Sequence, residues 1–235
     1  MTKNDFATLA ADFWEKSGLE YNPPCNIVEA TRRATPLAII PLPALCTSIL
    51  QNWLGKRSIF ISPIYKNRPL HACLVSRKGA GLLFFNSDDS PEEQRFSIAH
   101  EVAHFILDYL LPRERAVASM GEKILPVLDG EREATPDERF DALWGDVCLG
   151  TYNHLFVRGE GGGFLHYSAK RSEIEADNLA LEIVAPTKLL SPFSINHVPM
   201  VAQKFGIPAH IVSAFFSSRS IKKMKQQRFR DWIGF

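Results

Sequence analysis

The chain has 235 residues, of which 46% are hydrophobic and 23% charged, a globular composition that suffices for one large domain or for one domain with a small appendage. With 27 basic and 26 acidic residues, its net charge of +1 gives no overall reason to expect a nucleic-acid, acidic or membrane-surface partner. Four dispersed cysteines without a CxxC pair argue against a disulfide scaffold and a cysteine–zinc module. The charged first residues lack a signal-peptide core, and no run approaches the ~20 apolar residues of a membrane span, so we expect a cytoplasmic protein.

The first ninety residues contain signals for helices and short strands. Apolar residues at helical spacing predict an opening helix that ends at Gly18 and a short helix that begins near Asn26. Prolines interrupt the apolar segment 36–43, which is therefore predicted to be an edge strand or an extended segment. Further strands are predicted at 58–62, 70–76 and 81–86, with a turn at 77–81. Together these segments predict a small antiparallel sheet ahead of the first long helix.

Two helices begin with the same start signal. Ser90 opens a capping box with proline at the first helical position, and the apolar residues that follow cover most of the helix, so we expect it to be buried. Thr135 repeats this signal and predicts a helix that ends at Gly150. A hairpin with a glycine-rich loop is predicted at 152–168, and another helix from about Ser172 to Val184.

The C-terminal segment fits a helix-turn-helix template. Small, turn-forming and apolar residues fall where that unit requires them, at Ala202, Gly206, Val212 and Phe215. The would-be recognition helix at 208–218 contains no arginine or lysine, so a helix pair that packs on the rest of the protein is favoured over a DNA reader.

The first long helix carries an HExxH sequence. His100 and His104 are one helical turn apart, so both imidazoles leave the same face and can bind one Zn²⁺, while Glu101 projects beside them. A catalytic zinc needs a third protein ligand and an open position. On the later helix Glu173 and Asp177 share a face, so one carboxylate can bind the metal and the other can accept the N–H of a histidine ligand.

Three segments in this order resemble the ImmA/IrrE metallopeptidases: residues 95–104 around HExxH, the ExEAD helix that closes at Pro186, and residues 201–207. The ExxxD spacing is also similar to that of thermolysin-like gluzincins. The resemblance implies one Zn²⁺ per chain held by His100, His104 and Glu173, with Asp177 supporting a histidine and Glu101 acting as the general base.

We therefore predict an α+β fold in which the small antiparallel sheet packs on the HExxH helix. Residues 1–190, with an insertion at about 112–170, form the peptidase domain, and residues 191–235 form a helical, helix-turn-helix-like appendage with a basic tail. Three hairpin residues could stabilise an oxyanion: His154, His166 and Tyr167. The strand at 81–86 is a candidate for pairing with an extended substrate.

The resemblance implies a selective cytoplasmic zinc endopeptidase that cuts a helix-turn-helix repressor or an antitoxin-like protein during stress. The alternative is a DNA- or partner-binding regulatory protein whose metal site is not proteolytic. All four site residues are present and no fourth protein ligand is evident, which favours the peptidase.

Overall fold

The computed structural model describes residues 3–59, 67–145, 147, 149 and 166–218. The helices within them are α1 (Lys3–Ser17), α2 (Ile27–Ala34), α3 (Thr47–Gly55), α4 (Pro91–His104), α5 (Leu111–Met120), α6 (Leu125–Leu128), α7 (Pro136–Trp144), α8 (His166–Val184), α9 (Thr187–Leu190), α10 (Val198–Phe205) and α11 (209–218). The strands are β1 (Leu37–Leu42), β2 (Ala72–Arg77) and β3 (Ala80–Asn86). A π-helical turn, Phe105–Leu110, joins α4 directly to α5.

The sheet has the strand order β1-β3-β2 and is mixed. β2 and β3 form the predicted hairpin, in which Lys78 and Gly79 both adopt the positive φ angles that a tight two-residue turn requires. β1 is an edge strand as predicted, but it runs parallel to β3, so the expectation of an antiparallel sheet holds for one of the two pairs. The connection through α3 leads into β2, which runs opposite to β1, and the hairpin then reverses the chain so that β3 lies between them and parallel to β1. The predicted strand at 58–62 lies mostly outside the described residues.

The sheet is covered by a helix on each face. Leu74 and Leu83 belong to the main hydrophobic core with α4 and α8, whereas Cys73 and Phe84 pack in a second cluster with α3. Helix α4 is buried as predicted, and from Phe96 onward each of its residues is at most 9% exposed. The α+β class predicted from the sequence is confirmed, with the sheet packed on the HExxH helix.

Helix α1 supports the C-terminal end of α8. The indole N–H of Trp14 donates to the carbonyl of Ile183 at 3.0 Å, and the Tyr21 hydroxyl donates to the carbonyl of Val184 at 2.8 Å. These carbonyls lie in the last turn of α8, where no further helical N–H is available to them. The two hydrogen bonds therefore fix where α8 ends.

Helix α7 has the complete capping box that its sequence predicts, between Thr135 and Glu138. It ends at Trp144, short of the predicted end at Gly150. Helix α8 begins at His166, six residues before the predicted start, so residues 166–168 are helical and not part of a strand. The rest of the predicted hairpin, with Cys148 and the basic tail, lies outside the described residues.

The C-terminal helix pair packs into the same core as the sheet. Gly206 turns the chain between α10 and α11 at φ +61°, and the side chains of Val201, Phe205 and Ile207 are fully buried in the main cluster. Val212 is buried as predicted, but Phe216 takes the place expected for Phe215, which is half-buried. From α11, Val212 and Phe216 pack in the same hydrophobic cluster as the buried residues of α4. The division at residue 190 stays a prediction.

Arg95 links this pair to α4. Its guanidinium donates to the carbonyl of Gly206 and, at 3.0 Å, to the carbonyl of Cys25. Among the described residues, Cys25, Cys46 and Cys73 are not joined by disulfide bonds. Among the described residues, helices that combine the length and the apolar character needed to cross a membrane are absent.

Candidate metal centre

Two histidines of α4 form the centre of the candidate site. The helix begins where the Ser90 hydroxyl accepts the N–H of Glu93 at 3.2 Å, and Pro91 occupies the first helical position. One turn of spacing then places His100 and His104 on the same face, with their Nε2 atoms 3.0 Å apart. Both residues are buried, with exposures of 5% and 3%.

Glu173 reaches this face from α8. Its carboxylate oxygens lie 3.4 Å from Nε2 of His100 and 3.5 Å from Nε2 of His104. Alanines that are fully buried in the shared core lie on both helices, and small side chains allow helices to approach closely: Ala99 and Ala103 on α4, Ala176 and Ala180 on α8. The three side chains offer ligand atoms within 4.8 Å of one another and could hold a metal ion.

Asp177 lies behind the first histidine. Its Oδ1 atom is 2.9 Å from Nδ1 of His100, and its side chain is 58% exposed. A carboxylate in this position accepts the Nδ1 proton and leaves Nε2 directed toward the ligand cluster. The sequence left open which of the two histidines Asp177 would contact, and in the structure Asp177 contacts His100.

Asp108 holds the second histidine and was missed from the sequence. Its Oδ2 atom lies 2.7 Å from Nδ1 of His104 and accepts the hydroxyl of Ser172 at 2.7 Å. Asp108 lies in the π-helical turn that follows α4. The available signal is its position four residues after His104, the same spacing that relates the two histidines.

The carboxylates around the histidines determine their protonation. Burial lowers the pKa of His104, but hydrogen bonds with Asp108 and Glu173 and the charge of Glu101 outweigh burial and raise the pKa to about 9. The pKa of His100 is also raised, because the hydrogen bonds with Asp177 and Glu173 outweigh burial. The site therefore has an excess of negative charge that suits a cation.

Glu101 is buried beside the cluster, with 9% exposure. Its charge acts on both His100 and His104. Among the described residues, none donates a hydrogen bond to its carboxylate. A carboxylate placed this way can accept a proton from a water molecule near the cluster.

The predicted oxyanion donors are not brought into the site by the described part of the chain. His154 lies outside the described residues, whereas His166 and Tyr167 belong to the first turn of α8 with side chains that are not described. Their proposed role stays a prediction.

Comparison with known proteins gives one family. Residues 58–124 match the family model described as IrrE N-terminal-like domain, a model of M78 peptidases. The match contains β2, β3, α4 and Asp108, and it ends before α8 with Glu173. Searches of curated proteins and of solved structures found no significant match.

Proposed function

We propose that the chain is a zinc-dependent endopeptidase of the ImmA/IrrE family, on the basis of the match of residues 58–124 to the IrrE N-terminal-like domain. The observation that carries the proposal is the convergence of His100, His104 and Glu173, with Glu101 beside them. Two of these ligands and the base lie inside the matched segment, and the third comes from a separate helix.

The donor set fits zinc. Two imidazoles and one carboxylate make up a common ligand set of catalytic zinc sites, which keep a further position open. Each histidine has a carboxylate at Nδ1, the arrangement that presents Nε2 to a metal. When bound, zinc would act as a Lewis acid that lowers the pKa of water and polarises a carbonyl group.

The residues of the chain then divide the work of peptide hydrolysis. Glu101 accepts a proton from the attacking water and passes it to the amine of the leaving peptide. Asp177 and Asp108 keep His100 and His104 in the orientation that ligation requires. Burial of both histidines limits their movement, so the site is held ready before substrate arrives.

An extended substrate can pair with the edge of the sheet at β2. The strand at 81–86, considered from the sequence, is central and has partners on both sides, so it is the wrong strand. At the end of β3 the N–H of Asn86 donates to the carbonyl of His71, the residue before β2. This bond fixes the alternation along the antiparallel pair, so the N–H and C=O groups of Ala72, Leu74 and Ser76 point away from β3. This edge is adjacent to α4 and is free within the described sheet.

The decisive test is Glu101→Gln. The substitution keeps the shape of the side chain and removes its basicity, so zinc content and thermal stability stay as in the wild type while cleavage is lost. Glu92→Gln, an exposed change at the start of the same helix, serves as the matched control. Full activity of the Glu101→Gln protein would remove Glu101 from the role of base.

The proposed substrate is a cytoplasmic regulatory protein of the helix-turn-helix repressor or antitoxin-like type. Support comes from the family resemblance and from the 68 residues between His104 and Glu173, which begin with the π-helical turn beside the site and can restrict access. Comparison of new protein N-termini in cells that carry the wild type or Glu101→Gln would identify the substrate. Cleavage of many unrelated proteins would contradict the proposed selectivity.

The alternative is a DNA- or partner-binding regulator with a non-proteolytic metal site. It is favoured by the helix–turn–helix arrangement of α10, Gly206 and α11. Helix α11, however, has no arginine or lysine, and one of its faces is buried in the main core. A salt-dependent shift of DNA that persists in Glu101→Gln, without cleavage of any protein, would favour this alternative.

A further inference from the structure

We propose that Asp108 and Ser172 act together as a clamp that orients His104 and fixes the helix of Glu173 against it. The inference rests on the proposed zinc site and adds two positioning residues to it. One oxygen, Oδ2 of Asp108, lies 2.7 Å from both Nδ1 of His104 and the hydroxyl of Ser172.

The clamp closes a ring across two helices. On the ligand side of the His104 ring, Nε2 lies 3.5 Å from a carboxylate oxygen of Glu173. On the other side of the ring, Nδ1 contacts Asp108, which in turn accepts the hydroxyl of Ser172. Ser172 directly precedes Glu173 in α8. One contact between two helices sets a distance, whereas two contacts also restrict rotation, so the clamp restrains both the imidazole plane and the start of the ligand-bearing segment.

The position of Asp108 depends on the π-helical turn. Within the same turn the Tyr109 ring stacks on Phe105, and the Tyr109 hydroxyl accepts the N–H of Gly79 at 2.7 Å. The turn is thereby attached to the β2–β3 hairpin. Asp108 is held by a segment that the sheet supports, and π-helical turns are frequent at functional sites.

The two supporting carboxylates differ in their surroundings. The side chain of Asp108 is 27% exposed, whereas that of Asp177 is 58% exposed. Water competes more strongly with the hydrogen bond of the more exposed carboxylate. We therefore expect the loss of Asp108 to weaken zinc retention more than the loss of Asp177.

The experiment measures the rate at which zinc-loaded full-length protein releases zinc to a chelator. Loss of a hydrogen bond to a ligand typically costs about 10–100-fold in metal affinity, so Asp108→Asn should release zinc about 10–100-fold faster. Ser172→Ala should accelerate zinc release by a smaller factor. Ser172→Thr, which keeps the hydroxyl, should restore the wild-type rate of release. Ser191→Ala, which changes an exposed serine in the turn after α9, is the control.

Two further readouts separate positioning from general destabilisation. Because Ser172 acts through Asp108, the double variant should release zinc no faster than Asp108→Asn alone. In long-range proton–nitrogen spectra of the zinc-loaded protein, Asp108→Asn should increase solvent exchange at Nδ1 of His104 and leave His100 unchanged. Asp177→Asn should do the reverse.

The outcomes distinguish this inference from the proposed function. If the wild type binds zinc and cleaves protein while Ser172→Ala and Asp108→Asn release zinc at the wild-type rate, the clamp is refuted and the peptidase stands. If the wild type binds no zinc, both are refuted. Should Asp108→Asn fail to fold, Ser172→Ala and its threonine rescue decide the question alone.

Discussion

Replacing Gly206 by alanine tests how firmly the C-terminal helix pair is attached to the HExxH helix. Gly206 has φ +61°, a left-handed conformation that costs an alanine about 1–2 kcal/mol. The added Cβ would also lie 2.8 Å from Cβ of Pro24 and against the guanidinium of Arg95. To relieve this contact, Arg95 must leave the carbonyl of Gly206, and a hydrogen bond to a charged group contributes about 1.5–3 kcal/mol.

The expected loss is about 2.5–5 kcal/mol, a large part of the ~5–15 kcal/mol that stabilises a typical domain. Gly18→Ala provides the matched control, because Gly18 has φ +64° and its added Cβ would meet nothing within 4 Å. Gly18→Ala should therefore cost only about 1–2 kcal/mol. Urea unfolding followed by circular dichroism measures both variants. Equal losses in the two proteins would refute the contribution assigned to Arg95.

Three other predictions concern the metal, the capping box and the sheet edge. Glu173→Ala should lose stoichiometric zinc, whereas Glu175→Ala, on another face of α8, should retain it; metal analysis of both proteins tests the ligand. The hydrogen bond with Arg132 lowers the pKa of Glu138 from 4.5 to about 2. The stabilisation from this carboxylate is therefore fully present above about pH 4.5 and is lost as the pH falls through 2. The difference in unfolding free energy between the wild type and Glu138→Gln should shrink over that pH interval. Ala72→Pro removes an outward N–H from β2 and should raise KM while the protein stays folded, an effect that unchanged KM would contradict.

Much of the site could be predicted because its signals are local. The N-cap at Ser90 and the HExxH spacing depend only on neighbouring residues and helical geometry, and both are present in the structure. Of the capping box predicted at Ser90, the structure shows the bond from the Glu93 N–H to the Ser90 hydroxyl. Glu173 was harder to predict, because it lies on a helix that is far from the HExxH segment in the sequence. Its i,i+4 relation to Asp177 nevertheless indicated that the two carboxylates share a face. Asp108 was open to the same argument and was overlooked.

The features that were missed depend on contacts distant in sequence or on weak start signals. The parallel pairing of β1 follows from the place of β3 between β1 and β2, which no local pattern indicates. Helix α3 was not predicted, and its N-cap Cys46 makes no capping hydrogen bond through its side chain. Residues 166–168 were assigned to a strand because the capping signals of α8 were sought near Ser172.

The separation in sequence between the two halves of the metal centre has a consequence for how the protein is made. Hairpin β2–β3 and helix α4 involve near neighbours, so they can form early, as soon as that part of the chain leaves the ribosome. Glu173, the partner of His104 on α8, is separated from it by 68 residues, and its contact requires a long loop to close. A nascent chain that ends before Glu173 therefore carries both histidines without the carboxylate that completes the donor set. The protein acquires its full set of ligands late in synthesis, after the sheet and the HExxH helix can already be in place.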